Sequence, residues 1–491
     1  MMKRLTIFVL AGLLILISAS ATRAFRLKDQ AVTFADFMYI NDIASSMSHT
    51  YFATTEGLIR YNKMEKRWEL PLTGSDGMYN EEITRVWVNT FDNKLYAATN
   101  SQQYEYEPAF DRWYPVDEIP GLANDSRYLR TDTDLIPPFR YNMIGRGALI
   151  DPFARTFSVN SIVDDNIGSL WIGFWGYGAA TAPSTSKLVS LLPYGLLQNR
   201  VNTIYLEDSL LWISGAVGTS YRTGVTVFDP DENTFFYVES GVETSFPALD
   251  VNCLEGDDKN IYIGTEYGLY VLDKAGRNIV RQYRRQQGLI DDNVISLKKI
   301  GDSLFVGTAG GLTLIHHGGD LSTHIRPQYF LNRVIYDMEQ VGSYLWLATS
   351  IGAFRYSLKD DRLQKFNDRD ITFTDEIYSL AYYGRYLWFA TFEGVVRLDT
   401  ETGDIRSFVD ITGNLNGRAL AVNDEICAIA SDKGMTFIFL KDDSFHSREF
   451  TIDDGLPSNY VYDLVFDGDF IWVGTDQGLT RFWWSNPARI D

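Results

Sequence analysis

Imidazole, thiol and carboxylate groups carry much of protein chemistry, and this sequence is sparing with the first two. Its histidines are His49, His316, His317, His324 and His446. His316 and His317 adjoin at a strand-like end, where successive side chains point to opposite faces, so joint chelation is unfavourable. No His-Glu-x-x-His, Gly-x-Ser-x-Gly or phosphate-cradling glycine loop occurs. Turns such as Asp229-Pro230-Asp231-Glu232-Asn233 read as solvated turns before they read as calcium loops. The expectation is no metal, no cofactor and no assignable catalytic residue. The 64 acidic residues leave paired-carboxylate glycoside chemistry open, because spacing in sequence does not set spacing in space.

Aromatic and arginine side chains offer a different chemistry. Trp and Tyr stack on sugar rings or pack on peptide side chains, and Arg presents a forked donor to carboxylates. These residues gather in three places. A long stretch at about 117–155 holds Tyr128, Arg130, Arg140, Tyr141 and Arg146. Phe174, Trp175 and Tyr177 follow, and then Tyr221 with Arg222. All ten are expected to bind ligand. The chain carries 44 basic residues against 64 acidic ones, a net charge of −20, so clustered arginines reverse the field locally. That net charge repels phosphate backbones and anionic lipid, which argues against nucleic acid as a partner.

The elements that position these residues come from one repeat. It reads as a short apolar strand, then aromatic-apolar-small-Thr, then two residues and Gly. It is clearest from Ile471 to Leu479 and recurs from Ile261, Leu304, Leu345 and Leu387. Weaker copies begin at Tyr51, Leu95 and Ile426, and divergent ones at Leu170 and Leu211. Ten copies at a spacing of about 42 residues, with almost no helical periodicity, predict ten four-stranded blades. Small residues such as Ala53, Gly264 and Ala390 precede the Thr position so that sheets approach closely. The stripe of Trp171, Trp212, Trp346, Trp388 and Trp472 is expected in the core. Cys253 and Cys427, the two cysteines, read as buried small hydrophobes.

The cassette, with Gly455-Leu456-Pro457-Ser458-Asn459, Gly288-Leu289-Ile290 and Gly195-Leu196-Leu197, resembles the two-component regulator propeller repeat over most of residues 33–483. The resemblance implies an all-β propeller and a style of ligand recognition. Such repeats usually form the outer sensor region of membrane kinases, whereas this sequence carries no membrane helix or kinase domain before Asp491.

Residues 1–21 read as a signal peptide. Lys3 and Arg4 precede an apolar run from Leu5 to Ile17 and the small-x-small pattern Ala19-Ser20-Ala21. The run falls short of the roughly 20 residues that span a bilayer, and no second such run follows. The mature chain, 22–491, is expected to be periplasmic or secreted and not inserted in a membrane. The last blade lacks a fourth strand, and Phe25–Gln30 stand ready to supply it. A single ring of ten blades closed by that N-terminal strand is therefore favoured, with two smaller rings as the alternative. Thr-x-x-Gly turns and Gly-Leu loops share one face of such a propeller. The functional expectation is a non-enzymatic recognition or scaffold propeller. It would bind a glycan, peptide or partner protein on that face of blades two to four. The alternative is a carbohydrate-active hydrolase or lyase.

Overall fold

The structure, a computed structural model, describes residues 31–486 apart from short internal stretches, the longest being 120–133 and 367–375. The leader and Phe25–Gln30 lie outside the described residues. Among the described residues the strands form ten antiparallel sheets, nine of four strands and one of six. In chain order, blade one spans 40–68, blade two 85–116, blade three 142–192, blade four 203–239 and blade five 251–283. Blades six to ten span 294–325, 335–365, 377–407, 419–450 and 461–483. Ala31–Phe34 pairs with the last strand, Gly478–Trp483, and completes blade ten. The expected Phe25–Gln30 is outside the described residues, so Ala31–Phe34 is the described part of a strand that closes this blade. Phe34 anchors it, with its ring 4.7 Å from Phe228 and 6.2 Å from Trp472.

The Thr-x-x-Gly step has a local cause. The Thr hydroxyl donates to the carbonyl of the Gly three residues on, at 2.8 Å for Thr54, Thr265 and Thr308 and 2.9 Å for Thr475. It also accepts the N–H two residues on, as Glu56 donates to Thr54. The Gly takes φ of +126° at 478, where a Cβ would lie 2.5 Å from the Phe34 carbonyl oxygen. The stripe tryptophans are core residues, between 0 and 5% exposed. A Cβ on Gly264 would approach Val294 of the next blade to 2.7 Å, which is why that position stays small.

The innermost strands carry a β-bulge at one position, seen at Ile40/Asp42, Val251/Cys253, Ile335/Asp337 and Val461/Asp463 among others. The bulge aims a side chain at the next blade and so records which blades are neighbours. Asp42 accepts the Val86 N–H at 3.1 Å, joining blade one to two. Asp337 accepts the Leu380 N–H at 2.8 Å, joining seven to eight. Asp463 of blade ten accepts the Ile204 N–H of blade four at 2.7 Å. The Thr475 carbonyl likewise accepts the Val201 N–H at 2.8 Å. Blade three meets blade one, where Asn160 donates to the Ile40 carbonyl at 3.1 Å and Gly173 lies against Ile40.

Blades four to ten therefore succeed one another, with blade ten beside blade four. Blades three, one and two stand in that order in an arc beside them. This corrects the favoured single ring of ten. The surface beside blade ten is filled by Val201 and Ile204, so blade one is not its neighbour. The chain crosses between circuit and arc twice, at 35–39 and 193–202, and the two crossings bind each other. Leu196 donates to the Ala35 carbonyl at 2.8 Å, and Phe37 stacks on Tyr194 at 6.0 Å. A shared core containing Phe52, Trp171, Phe228 and Trp472 continues across this joint.

Candidate functional site

The structure brings several of the expected ligand residues together, but in a seam between blades three and four. Tyr177 meets Tyr141 hydroxyl to hydroxyl at 2.6 Å. The Arg222 guanidinium lies 4.5 Å from the Tyr177 ring and 4.9 Å from Tyr237. Arg222 pairs with Glu239 at 2.5 Å, and Glu239 also takes Arg155, which in turn holds Asp151. Burial works against the Arg222 charge, yet Glu239 outweighs it and holds the guanidinium above its ordinary value. Burial would raise Glu239 too, but Arg222 and then Arg155 bring it down to about 2. The Tyr177 hydroxyl is pushed well up, by burial first.

Exposure decides what such a cluster can do. Arg222 is 4% exposed, and Phe174 is fully buried. Phe174 packs with Leu149, Phe157 and Ile172. Phe174 thus packs inside blade three, and Arg222 joins blade four to Tyr177 of blade three; both were expected to face a ligand, and both are buried. A buried ion pair satisfies itself and leaves no donor for solvent. Trp175 is half-buried, edge-on to Tyr39 at 5.2 Å. Arg140 is exposed on a left-handed turn next to Phe139, which is 92% exposed. Tyr128, Arg130, Arg146 and Tyr221 lie outside the described residues. The long insertion has a packing role as well: its strands Asn142–Ile144 and Ala148–Ile150 extend blade three.

The loop face carries a cleft that sequence reading missed. About 980 Å³ in volume, it lies where blades one and two of the arc face blade ten. The Thr-x-x-Gly turns of blades one and ten contribute Glu56 and Gln477, and the corresponding turn of blade two contributes Ser101 and Gln102. Gly455, Leu456 and Pro457 line the opposite wall, and Tyr104 and Arg112 complete it. Arg112 is exposed and makes no ion pair with a described carboxylate. Burial pushes the Glu56 carboxyl up, opposed by a hydrogen bond from Asn199. Behind it Asp36 rises to about 7, through burial that outweighs its bonds to the Met38 N–H and the Ser220 hydroxyl. The wall thus offers one exposed cation, the Glu56 and Asp453 carboxylates, amide and hydroxyl groups, a tyrosine and apolar Leu456. The only sequence signal for it was the Gly-Leu-Pro loop itself.

Cys253 and Cys427 are unpaired, and burial raises both thiols. Among the described residues no helix is long and apolar enough to cross a membrane.

Comparison with curated protein sequences gives no match. Solved structures do resemble the chain. PorZ, a surface component of the type-IX secretion system of Porphyromonas gingivalis, is 12% identical with a TM-score of 0.50, over 90% of this chain and 68% of that one. The extracellular domain of the one-component system BT4673 of B. thetaiotaomicron is 14% identical with a TM-score of 0.48, over 92% and 71%. That of the hybrid two-component system BT3049 is 17% identical with a TM-score of 0.47, over 91% and 56%. At these identities the likeness is one of fold. In sequence, residues 455–477 match the two-component regulator propeller model. The chain is thus an all-β propeller protein that carries the two-component regulator propeller repeat.

Proposed function

We propose that the chain is an exported recognition propeller that holds a glycan or peptide ligand in the cleft between blades one, two and ten. The cleft carries the proposal, because it unites turns from both the arc and the circuit around an exposed arginine that makes no ion pair with a described carboxylate. A ligand there touches both parts at once and biases their relative position, which is how a sensor module reads occupancy. The extracellular regions of one- and two-component systems with this fold support the exported, sensor-like reading.

A glycan and peptide array probed with the mature protein identifies the ligand. Arg112→Ala is then expected to weaken binding about tenfold, the loss of one charge-assisted hydrogen bond, with an unchanged melting temperature. Wild-type affinity in that variant overturns the cleft as the site. Mass spectrometry of the recovered ligand separates the two functional classes: intact ligand marks recognition, and cleaved ligand marks a carbohydrate-active enzyme.

A further inference from the structure

The joint between arc and circuit closes on a buried acid. Asp36, in the crossing at 35–39, is 4% exposed. Its backbone N–H donates to the Asn199 side chain of the second crossing at 2.7 Å. Its carboxyl accepts the Met38 N–H at 3.2 Å. It also accepts, at 3.1 Å, the hydroxyl of Ser220, which stands between the second and third strands of blade four. One residue earlier, the Ala35 carbonyl takes the Leu196 N–H. Asn199 donates in turn to Glu56 in the cleft, so joint and cleft share a side chain.

Among the described residues no cation pairs with this carboxyl. Arg222 favours its charge but is committed to Glu239 at 2.5 Å, and Glu56 opposes it. Tyr237 also faces it, a hydroxyl that burial pushes far up and that donates to the Gly195 carbonyl at 2.9 Å. Two neutral donors do not replace the water that an ionised carboxylate loses on burial. Burial therefore wins and brings the Asp36 carboxyl to about 7, where 3.8 is ordinary. Such an acid keeps its proton in the closed joint and gives it up when the joint opens to water. Opening releases a proton, so closure is fully favoured below 3.8 and weakens as pH rises through 7. We infer that Asp36 is a proton-dependent latch between arc and circuit, holding the two crossings together when neutral and favouring the open joint when ionised.

Hydrogen exchange of the full chain, read by mass spectrometry on fragments covering 193–202, tests this. Wild type and Asp36→Asn are compared at each pH, so the intrinsic exchange rate cancels. Between pH 5 and 8 the ratio of wild-type to variant exchange rises about 50- to 100-fold, the linkage expected of one acid moved from 3.8 to about 7. Fragments of blade seven, remote from the joint, keep a constant ratio. Ser220→Ala leaves Asp36 in place but removes a donor that favours its charge, and moves the rise to higher pH. Arg112→Ala leaves these profiles unchanged, which separates the latch from ligand binding in the cleft. A constant ratio at 193–202 overturns the inference, as does an equal rise in blade seven, which marks an effect on the whole fold. A Ser220→Ala profile identical to wild type overturns it too.

Discussion

Glu239→Gln tests how blades three and four are held together. The change keeps size and one acceptor oxygen but leaves the Arg222 guanidinium, 4% exposed, without its carboxylate. Removing one side of a buried ion pair costs about 3–5 kcal/mol. The titration of Glu239 gives a second figure. Against burial, Arg222 and Arg155 hold this carboxyl at about 2, where 4.5 is ordinary. A carboxyl depressed in the folded state contributes stability that is fully present above its unfolded value. That contribution is lost as pH falls from 4.5 through 2. At 1.36 kcal/mol per pH unit it amounts to about 3 kcal/mol, in line with the first figure. Urea unfolding followed by tryptophan fluorescence measures both. At neutral pH the variant is expected to lose about 3 kcal/mol. Between about pH 4.5 and 2.5 its stability should fall less steeply than that of the wild type. Arg222→Met combined with Glu239→Leu should recover most of the loss, since no charge is then stranded at this pair. A loss below about 1 kcal/mol, or an acid slope identical to wild type, would refute the seam as an ion-pair lock.

Phe34→Ala should cost about 3–5 kcal/mol through the cavity left beside Phe228 and Trp472, and removal of 31–34 should expose the edge of blade ten and raise light scattering. If the truncated chain melts like the full one, this strand is not the clasp. Trp388→Ala, at a core ring 1% exposed, should cost about 3–5 kcal/mol, and Trp175→Ala, half-buried against Tyr39, about 1–2. Equal melting shifts in the two variants would show that the Trp175 turn is core packing. The precursor should be cut after Ala21, and N-terminal sequencing of exported protein that still begins at Met1 would rule this out.

What the sequence determined by itself was the blade. The Thr-x-x-Gly turn is closed by a hydroxyl and a carbonyl three residues apart, so its chemistry is visible in any window of nine residues. The tryptophan stripe and the small residues beside it follow from the alternation of a pleated strand, and they are buried as that alternation requires. The need for a closing strand was also legible, because an incomplete last blade leaves an edge. Which blades adjoin was not. Gly474 accepts Val201 beside it much as Gly264 accepts Val294, so any inner strand would satisfy the local pattern. The crossings at 35–39 and 193–202 select the neighbour, through contacts such as Leu196 to Ala35 that join residues distant in sequence. Arg222 failed as an expected ligand residue for the same reason. An arginine in an enlarged turn reads as exposed, but Tyr177 and Glu239 reach it from two different blades and bury it. The cleft was likewise invisible, since Gln102 and Gln477 share a wall only after the arc folds against blade ten. Local hydrogen bonds and side-chain alternation act over a few residues and leave a mark in sequence; the meeting of blades depends on shape complementarity between surfaces built from nearly the same residues, and tertiary packing alone decides it.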